Sequence, residues 1–228
     1  MTQLHDKREH LRRLIEEKRA FDVPLAPLEK ELGFRGWHER GYLPHCDKPG
    51  LVQLVTFRLH DSMPVSRRGE WEHLLRLEDE SQKRIALEVY LDRGEGGCFL
   101  RQHPVAALVE RAMLHHHGQR FQMLAWVVMP NHVHALIHVR HTPLSKVLQN
   151  WKSLAAVEAN KLLRRSGRFW QPDYWDTFMR DEEQTRRAVR YIENNPVKAR
   201  LCRTPEEWPF NSARFRDPKT RELILPKQ

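Results

Sequence analysis

The stretch VVMPNHVHALIHV, from Val127 to Val139, decides the fold. Its β-branched and apolar content is typical of a strand, and Met129–Pro130–Asn131 supplies a turn signal just before it. Side chains along a strand alternate between two faces. One face receives the apolar side chains Val133, Ala135, Ile137 and Val139. The other face receives His132, His134, Leu136 and His138. We therefore predict a strand with one core face and one face that carries histidines.

His132 and His134 stand at positions i and i+2 of this strand, so their Cα atoms lie roughly 6–7 Å apart on one face. Two imidazole rings at this separation can converge on one cation and form half of a metal site. The spacing also fits two solvent-side residues of an amphipathic strand, and in a chain with 14 histidines some pairing by chance is expected. The spacing alone leaves both interpretations open.

The neighbouring segments alternate between strand and helix patterns. We predict that Phe121–Val128 forms a hairpin with the histidine strand, and that Leu51–His60 is a central strand because it is apolar on both faces. Helical spacing of apolar residues predicts helices in three further segments. These segments are Ser66–Asp92, His103–His117 and Leu144–Leu163. The three consecutive histidines at 115–117 do not share a helix face, which disfavours a metal site there.

A last helix is predicted from Asp181, whose carboxylate can cap the helix start with Gln184 three residues later. We expect Pro196 to end this helix after about Asn194. Tyr191 and Asn195 are four residues apart and therefore share a helix face. A single tyrosine on a helix is usually a core residue, and an asparagine before proline is usually a cap or turn. The pattern alone assigns neither residue a chemical role.

The composition fits one soluble domain of 228 residues. The chain has no apolar run of the ~20 residues that cross a bilayer, and its charged start lacks a signal-peptide core, so we expect a cytoplasmic protein with no membrane partner. Its three cysteines form no CxxC pattern. The net charge is +9, and residues 140–203 hold 14 Lys and Arg against 7 Asp and Glu. This concentration of positive charge favours a polyanion such as nucleic acid.

Four motifs, taken together, are specific. They read WVVMPNHVHALI, WKSLAAVEANK, GRFWQPDYWDTFMRDEEQ and YIENNPVKARL. Between about Gly36 and Phe215 the chain resembles the REP-associated tyrosine transposases, within the single-tyrosine HUH endonucleases. The resemblance implies an α+β fold: an antiparallel sheet with helices on one face, ferredoxin-like or RRM-like, plus an N-terminal helical extension. Domain limits are expected at 1–48 for that extension, 49–203 for the catalytic domain and 204–228 for a DNA-reading segment and tail.

The same resemblance implies the chemistry. Tyr191 stands where the family has its nucleophile, and His132, His134 and Asn195 stand where it holds a divalent cation, Mg²⁺ or Mn²⁺. The third position is the least secure, because Gln184 and the acidic residues 181–183 lie nearby in sequence. The implied reaction cleaves and rejoins single-stranded, REP-type hairpin DNA through a 5′-phosphotyrosine, by a monomer or a homodimer.

Contacts to DNA are predicted where basic and aromatic residues alternate or flank the tyrosine, because arginine and lysine hold phosphates and planar side chains stack on bases. These residues are Arg35, Trp37, Arg40, Tyr42, Lys152, Arg186, Arg187, Arg190, Lys198, Trp208 and Arg214. Lys152 can face water instead, and Trp208 can pack on the domain. Two other functions stay open: a non-catalytic nucleic-acid-binding protein on an RRM-like sheet, and a metallohydrolase in which water attacks.

Overall fold

The computed structural model describes residues 24–40, 43–63, 66, 68–75 and 80–225. Residues 1–23 of the expected N-terminal helical extension lie outside these ranges. The helices are α1 (Pro27–Leu32), α2 (Arg68–Leu75), α3 (Glu80–Asp92), α4 (His103–Leu114), α5 (Leu144–Leu162) and α6 (Glu182–Lys198). The strands are β1 (Gly36–Arg40), β2 (Leu43–Asp47), β3 (Val52–Arg58), β4 (Phe121–Val128), β5 (His132–Val139) and β6 (Trp175–Phe178). No helix in the described part of the chain is long and apolar enough to cross a bilayer.

Four strands form one antiparallel sheet in the order β4-β5-β3-β6. The predicted hairpin between β4 and β5 is confirmed, and β3 lies centrally between β5 and β6. In this register Thr56 of β3 lies opposite His134 of β5. Beyond β4, the chain near Asn211 forms a bridge to Val127 and extends that edge of the sheet. The predicted antiparallel α+β architecture is therefore confirmed.

Both faces of the sheet are covered, so the expectation of helices on one face is wrong. The larger core joins one sheet face to α4 and α5, and includes Val133, Ala135, Ile137 and Trp151. The smaller core lies on the other face, where Leu54 and Leu136 meet Ile192 of α6. The reason is that β3 and β5 carry apolar side chains on both faces, and each face must be buried.

Helix α6 begins as predicted, since the Asp181 carboxylate accepts a hydrogen bond from the Gln184 backbone N–H at 2.6 Å. The prediction that Pro196 ends the helix is wrong, because the helix continues to Lys198. Proline has a helix-compatible φ, and in the last turn it removes only one hydrogen bond. The helix closes with the Ala199 N–H donating to the Asn195 carbonyl at 2.9 Å. Asn195 is therefore held in helical geometry, one turn beyond Tyr191.

Strands β1 and β2, on either side of residues 41 and 42, pair antiparallel as the β1–β2 hairpin beside the main sheet. Two buried side chains of β2 attach it to the rest of the domain. His45 Nδ1 bonds the carboxylate of Asp176 on β6, and Asp47 accepts a hydrogen bond from the Leu144 N–H at the start of α5 at 3.1 Å. The hairpin is thus anchored to both the sheet edge and a core helix.

Candidate active site

His132 and His134 lie on the β5 face that α6 covers, and both are buried, with about 1% of their surface exposed. This differs from the solvent-side interpretation of the same spacing. Their Nε2 atoms approach to 3.1 Å, with the ring planes at 78°. Two ring nitrogens this close point toward one shared position. The alternation of side chains along β5 is what brings them together.

Each histidine is held through its other ring nitrogen. Asn131 Oδ1 lies 2.8 Å from His132 Nδ1, while the Asn131 amide nitrogen donates to the carbonyls of Leu91 and Glu95, each at 3.2 Å. Because these two carbonyls fix the amide orientation, the acceptor oxygen faces the ring, and His132 Nδ1 must carry the proton. The lone pair of His132 is then on Nε2, facing His134. Thr56 Oγ1 holds His134 Nδ1 at 2.7 Å.

Burial lowers the pKa of His132 to about 3. A charged ring would lose its hydration inside the protein, and among the described residues no carboxylate offsets that loss. At neutral pH the ring is therefore neutral, which is the form in which histidine binds metals.

Tyr191 reaches the histidine pair from α6. Its hydroxyl lies 3.4 Å from His134 Nε2, and the Asn195 amide nitrogen donates to the same hydroxyl at 3.2 Å. The tyrosine ring meets the His134 ring edge-on, with centroids 5.4 Å apart. The structure thus brings together the four residues for which a chemical role was predicted. Tyr191 is half-buried, so its hydroxyl sits at the border of the protein interior.

Asn195 also carries a buried oxygen, Oδ1, that has no hydrogen-bond partner among the described residues. A buried amide oxygen without a partner is costly unless something binds it. Two converging imidazoles and an amide oxygen are donors that fit a divalent cation. In the described ranges, no group of three or more His, Cys, Asp or Glu side chains is placed to hold a metal ion.

The rival candidates for the third ligand lie elsewhere. Asp181 and Gln184 are occupied at the start of α6: Asp181 caps the helix, and Gln184 Oε1 accepts from the Arg180 N–H at 3.0 Å. They precede Tyr191 by about two helical turns or more, which is about 10–15 Å along the axis. Among Asp181, Gln184 and Asn195, the side chain that reaches Tyr191 is that of Asn195.

The basic residues of α6 lie on its exposed side. Arg186 pairs with Glu182 and Glu183 at 3.1 and 3.5 Å, and Arg190 pairs with Glu183 at 3.3 Å. Arg187 is exposed. Exposed ion pairs such as these are worth about 0–1 kcal/mol and exchange easily for a phosphate partner.

Lys198, also on α6, lies 3.8 Å from the Asp92 carboxylate. Two other predicted DNA residues lie on the far side of the sheet from Tyr191. Lys152 of α5 donates to the carbonyls of Gln171, Pro172 and Asp173 at 2.5, 2.9 and 3.3 Å. It lines a groove of about 510 Å³ together with Arg35, which is exposed. Because three backbone carbonyls already accept hydrogen bonds from the Lys152 ammonium, its observed role is to hold the 171–173 loop.

Trp37 is 39% exposed on β1 and packs edge-on against Phe178. The side chain of Arg40 and all of Tyr42 lie outside the described residues. Trp208 donates its indole N–H to the Val128 carbonyl at 2.9 Å and packs on the smaller core. Packing on the domain was one of its two predicted roles. Arg214 is exposed and donates to the Pro209 carbonyl.

Sequence reasoning missed the residues that hold the site. Asn131 was interpreted only as part of a turn, although its position next to a predicted ligand was a usable signal. Thr56 is 78 residues from His134 in the chain and carries no local signal. Glu193, between Tyr191 and Asn195, is buried. A charged residue on a basic helix would instead suggest an exposed side chain.

The fold and the site define a class of domain: an antiparallel sheet in which one strand presents a His-x-His pair to a tyrosine on a helix. A family model described as "Transposase IS200 like" matches residues 109–195. This stretch includes both histidines, Tyr191 and Asn195.

Two curated relatives carry a more particular name. The chain is 27% identical over 92 residues to the REP-associated tyrosine transposase of Escherichia coli, covering 40% of this chain and 54% of that protein. It is 24% identical over 103 residues to a putative REP-associated tyrosine transposase of Haemophilus influenzae, covering 40% and 58%. The chain therefore spans little more than half of each relative. These matches confirm the resemblance to REP-associated tyrosine transposases that the motifs indicated.

Among solved structures, the chain is similar to a REP-associated tyrosine transposase bound to a REP hairpin, at 18% identity and a TM-score of 0.48, covering 84% of this chain and 91% of the other. A putative transposase from Deinococcus radiodurans is similar at 16% identity and a TM-score of 0.30, covering 69% and 96%.

Proposed function

We propose that this chain is a metal-dependent, single-tyrosine DNA transesterase that cleaves and rejoins single-stranded DNA at REP-type hairpins. The observation that carries the proposal is that the Tyr191 hydroxyl lies 3.4 Å from His134 Nε2, which is itself 3.1 Å from His132 Nε2. A nucleophile beside a pair of converging imidazoles that can hold a cation is an arrangement that supports phosphodiester transfer. The IS200-like family match over this stretch and the names of the curated relatives support the choice of substrate.

In this proposal Tyr191 Oη attacks the scissile phosphorus. The bond from tyrosine oxygen to phosphorus forms as the bond from phosphorus to the 3′ oxygen breaks, and the leaving oxygen takes the electron pair and a proton to become a 3′-OH. The 5′ phosphate stays on the tyrosine. Attack by a 3′-OH on this phosphotyrosine reverses the step. Since the number of phosphoester bonds is unchanged, rejoining needs no ATP.

His132, His134 and Asn195 would hold the divalent cation. When bound, Mg²⁺ or Mn²⁺ supplies positive charge that polarises a non-bridging phosphate oxygen and stabilises the charge gained in the transition state. Asn131 and Thr56 keep both rings oriented with Nε2 toward the site. A phenol has an ordinary pKa near ~10 and is mostly protonated at neutral pH, so attack also requires that its proton be removed.

The exposed basic side of α6 offers phosphate contacts next to the tyrosine through Arg186, Arg187, Arg190 and Lys198. Arg35 and Trp37 offer a second contact region around β1. We propose that residues 49–203 form the catalytic unit.

The experiment is a covalent-adduct assay. The protein is incubated with labelled single-stranded hairpin DNA and Mn²⁺, denatured, and separated on a gel. Label is expected on the protein band, and is expected to vanish with EDTA and in Tyr191→Phe, a loss of about 10⁴-fold or more because the nucleophile is gone.

Two outcomes would overturn the proposal. DNA that binds but never labels the protein, over several hairpin sequences, would favour a binding module. Cleavage that survives Tyr191→Phe and fails in His132→Ala would favour a metallohydrolase that uses water.

A further inference from the structure

Helix α6 has a second polar anchor on the side away from the histidines. Glu193 follows Tyr191 by two residues, which places it about 200° further round the helix. Its side chain is only 4% exposed. A buried carboxylate is unfavourable unless charged and hydrogen-bonding partners compensate it. Glu193 therefore needs such partners.

The C-terminal segment supplies those partners. Glu193 Oε1 accepts hydrogen bonds from Ser212 Oγ and from Arg216 Nε, both at 2.7 Å. Asn211 donates its amide to the Glu193 backbone carbonyl at 2.8 Å. Arg216 is nearly as buried as Glu193, with 9% of its side chain exposed. Three residues within six positions thus converge on one residue of the tyrosine helix.

The same segment is fixed to β4. The Val128 N–H donates to the Phe210 carbonyl at 2.9 Å, and the Trp126 N–H donates to Ser212 Oγ at 3.1 Å. Arg216 adds a hydrogen bond to the Leu124 carbonyl at 2.6 Å. Because β4 pairs with the histidine strand, these bonds connect Glu193 to the strand that carries His132 and His134. We call residues 210–216 together with Glu193 the helix latch.

The direct contacts between the two halves of the site are weaker. Tyr191 on α6 meets His134 on β5 at 3.4 Å, which is long for a hydrogen bond to a hydroxyl, and the 3.2 Å contact of Tyr191 with Asn195 lies within α6. Apolar packing of Ala188 and Ile192 buries the helix but is not directional. The helix latch supplies directional, charge-assisted bonds that fix the rotation of α6.

We propose that Glu193 is a positioning residue that sets the Tyr191 hydroxyl against the histidine pair. The proposal rests on the function proposed above. A misplacement of about 1 Å at a reacting atom can cost about 10²-fold in rate. Residues 210–216 then hold the catalytic geometry, in a region where sequence reasoning expected DNA reading.

The test uses the full chain and two matched variants on one helix. Glu193→Gln removes the buried charge, whereas Glu183→Gln removes an exposed one that pairs with Arg186 and Arg190. The readout is the single-turnover rate of adduct formation with saturating hairpin DNA and Mn²⁺, with hairpin affinity and melting temperature measured alongside. We expect Glu193→Gln to slow adduct formation about tenfold or more, with hairpin affinity within about twofold of the unmodified chain and the protein still folded at the assay temperature. Glu183→Gln should keep the full rate.

A second readout does not depend on activity. The chain has four tyrosines, so 3-fluorotyrosine labelling gives four ¹⁹F resonances, and Tyr191→Phe assigns the one from Tyr191. Glu193→Gln should shift or broaden that resonance, and Glu183→Gln should leave it unchanged. If the unmodified chain forms no adduct, the proposed function fails while this readout still tests the latch. A full rate together with an unmoved Tyr191 resonance in Glu193→Gln would overturn the positioning role, as would loss of rate only in proportion to lost folding.

Discussion

Two buried histidines, each about 1% exposed, have opposite properties in this molecule. His132 faces an amide oxygen and another imidazole, and burial lowers its pKa to about 3. His45 lies between Asp173 and Asp176; burial disfavours its charge, but hydrogen bonds and attraction to the two carboxylates outweigh this and raise its pKa to about 9. Both rings are shielded from solvent, and the two carboxylates beside His45 are what turn the shift of its pKa upward. The neutral ring suits a metal site, and the charged one anchors the β1–β2 hairpin.

The largest effect expected from this comparison comes from the His132–His134 pair. His132→Ala removes one converging nitrogen, and we expect adduct formation to fall by about 10³-fold, or about 4 kcal/mol. The matched control is His138→Ala, on the same face of β5 but beyond Leu136, which should keep activity within about twofold. Equal losses of adduct formation in both variants would mean that activity depends on the integrity of β5 rather than on the histidine pair.

The charged histidine predicts a pH effect on stability. Its pKa is raised from the ordinary value of 6.5 to about 9, so its contribution is fully present below pH 6.5 and is lost as the pH rises through about 9. One pKa unit corresponds to 1.36 kcal/mol, so this contribution is about 3 kcal/mol. The measurement is the free energy of unfolding in urea at pH 6 and pH 10.

His45→Asn serves as the reference for that measurement, because other groups titrate above pH 9 in both proteins. The gap between the unmodified chain and His45→Asn should shrink by about 3 kcal/mol from pH 6 to pH 10. A gap that does not change with pH would contradict a charged His45 in the folded state.

The contrast also explains what could be predicted from the sequence. Alternation placed His132 and His134 on one face, and helical spacing placed Tyr191 with Asn195, because both rules act over a few residues. The partners that decide charge and orientation are distant: Asp176 is 131 residues from His45, and Thr56 is 78 residues from His134. The burial of Glu193 depends on Arg216, 23 residues further on, so no local pattern indicates it. We predicted that Pro196 would end α6. The helix continues past Pro196 because the terminal turn needs few backbone hydrogen bonds.

The smallest expected effect concerns how the His132–His134 pair is held. Asn131→Ala removes the acceptor at His132 Nδ1, so the proton can move to Nε2 and the ring is free to turn. Outer groups that orient a ligand typically contribute 10–100-fold to metal affinity. We expect about tenfold weaker Mn²⁺ binding, or about 1.4 kcal/mol, measured by the loss of the free Mn²⁺ signal in electron paramagnetic resonance.

Asn131→Asp separates the two roles of this side chain. It keeps an acceptor for His132 Nδ1 but loses the donors to the Leu91 and Glu95 carbonyls. If ring orientation is what matters, Mn²⁺ affinity in Asn131→Asp should recover relative to Asn131→Ala. If both variants lose Mn²⁺ affinity equally, the Asn131 amide acts instead by holding the backbone carbonyls of Leu91 and Glu95. Asn194→Ala, an exposed change on α6, is the matched control and should leave Mn²⁺ affinity unchanged.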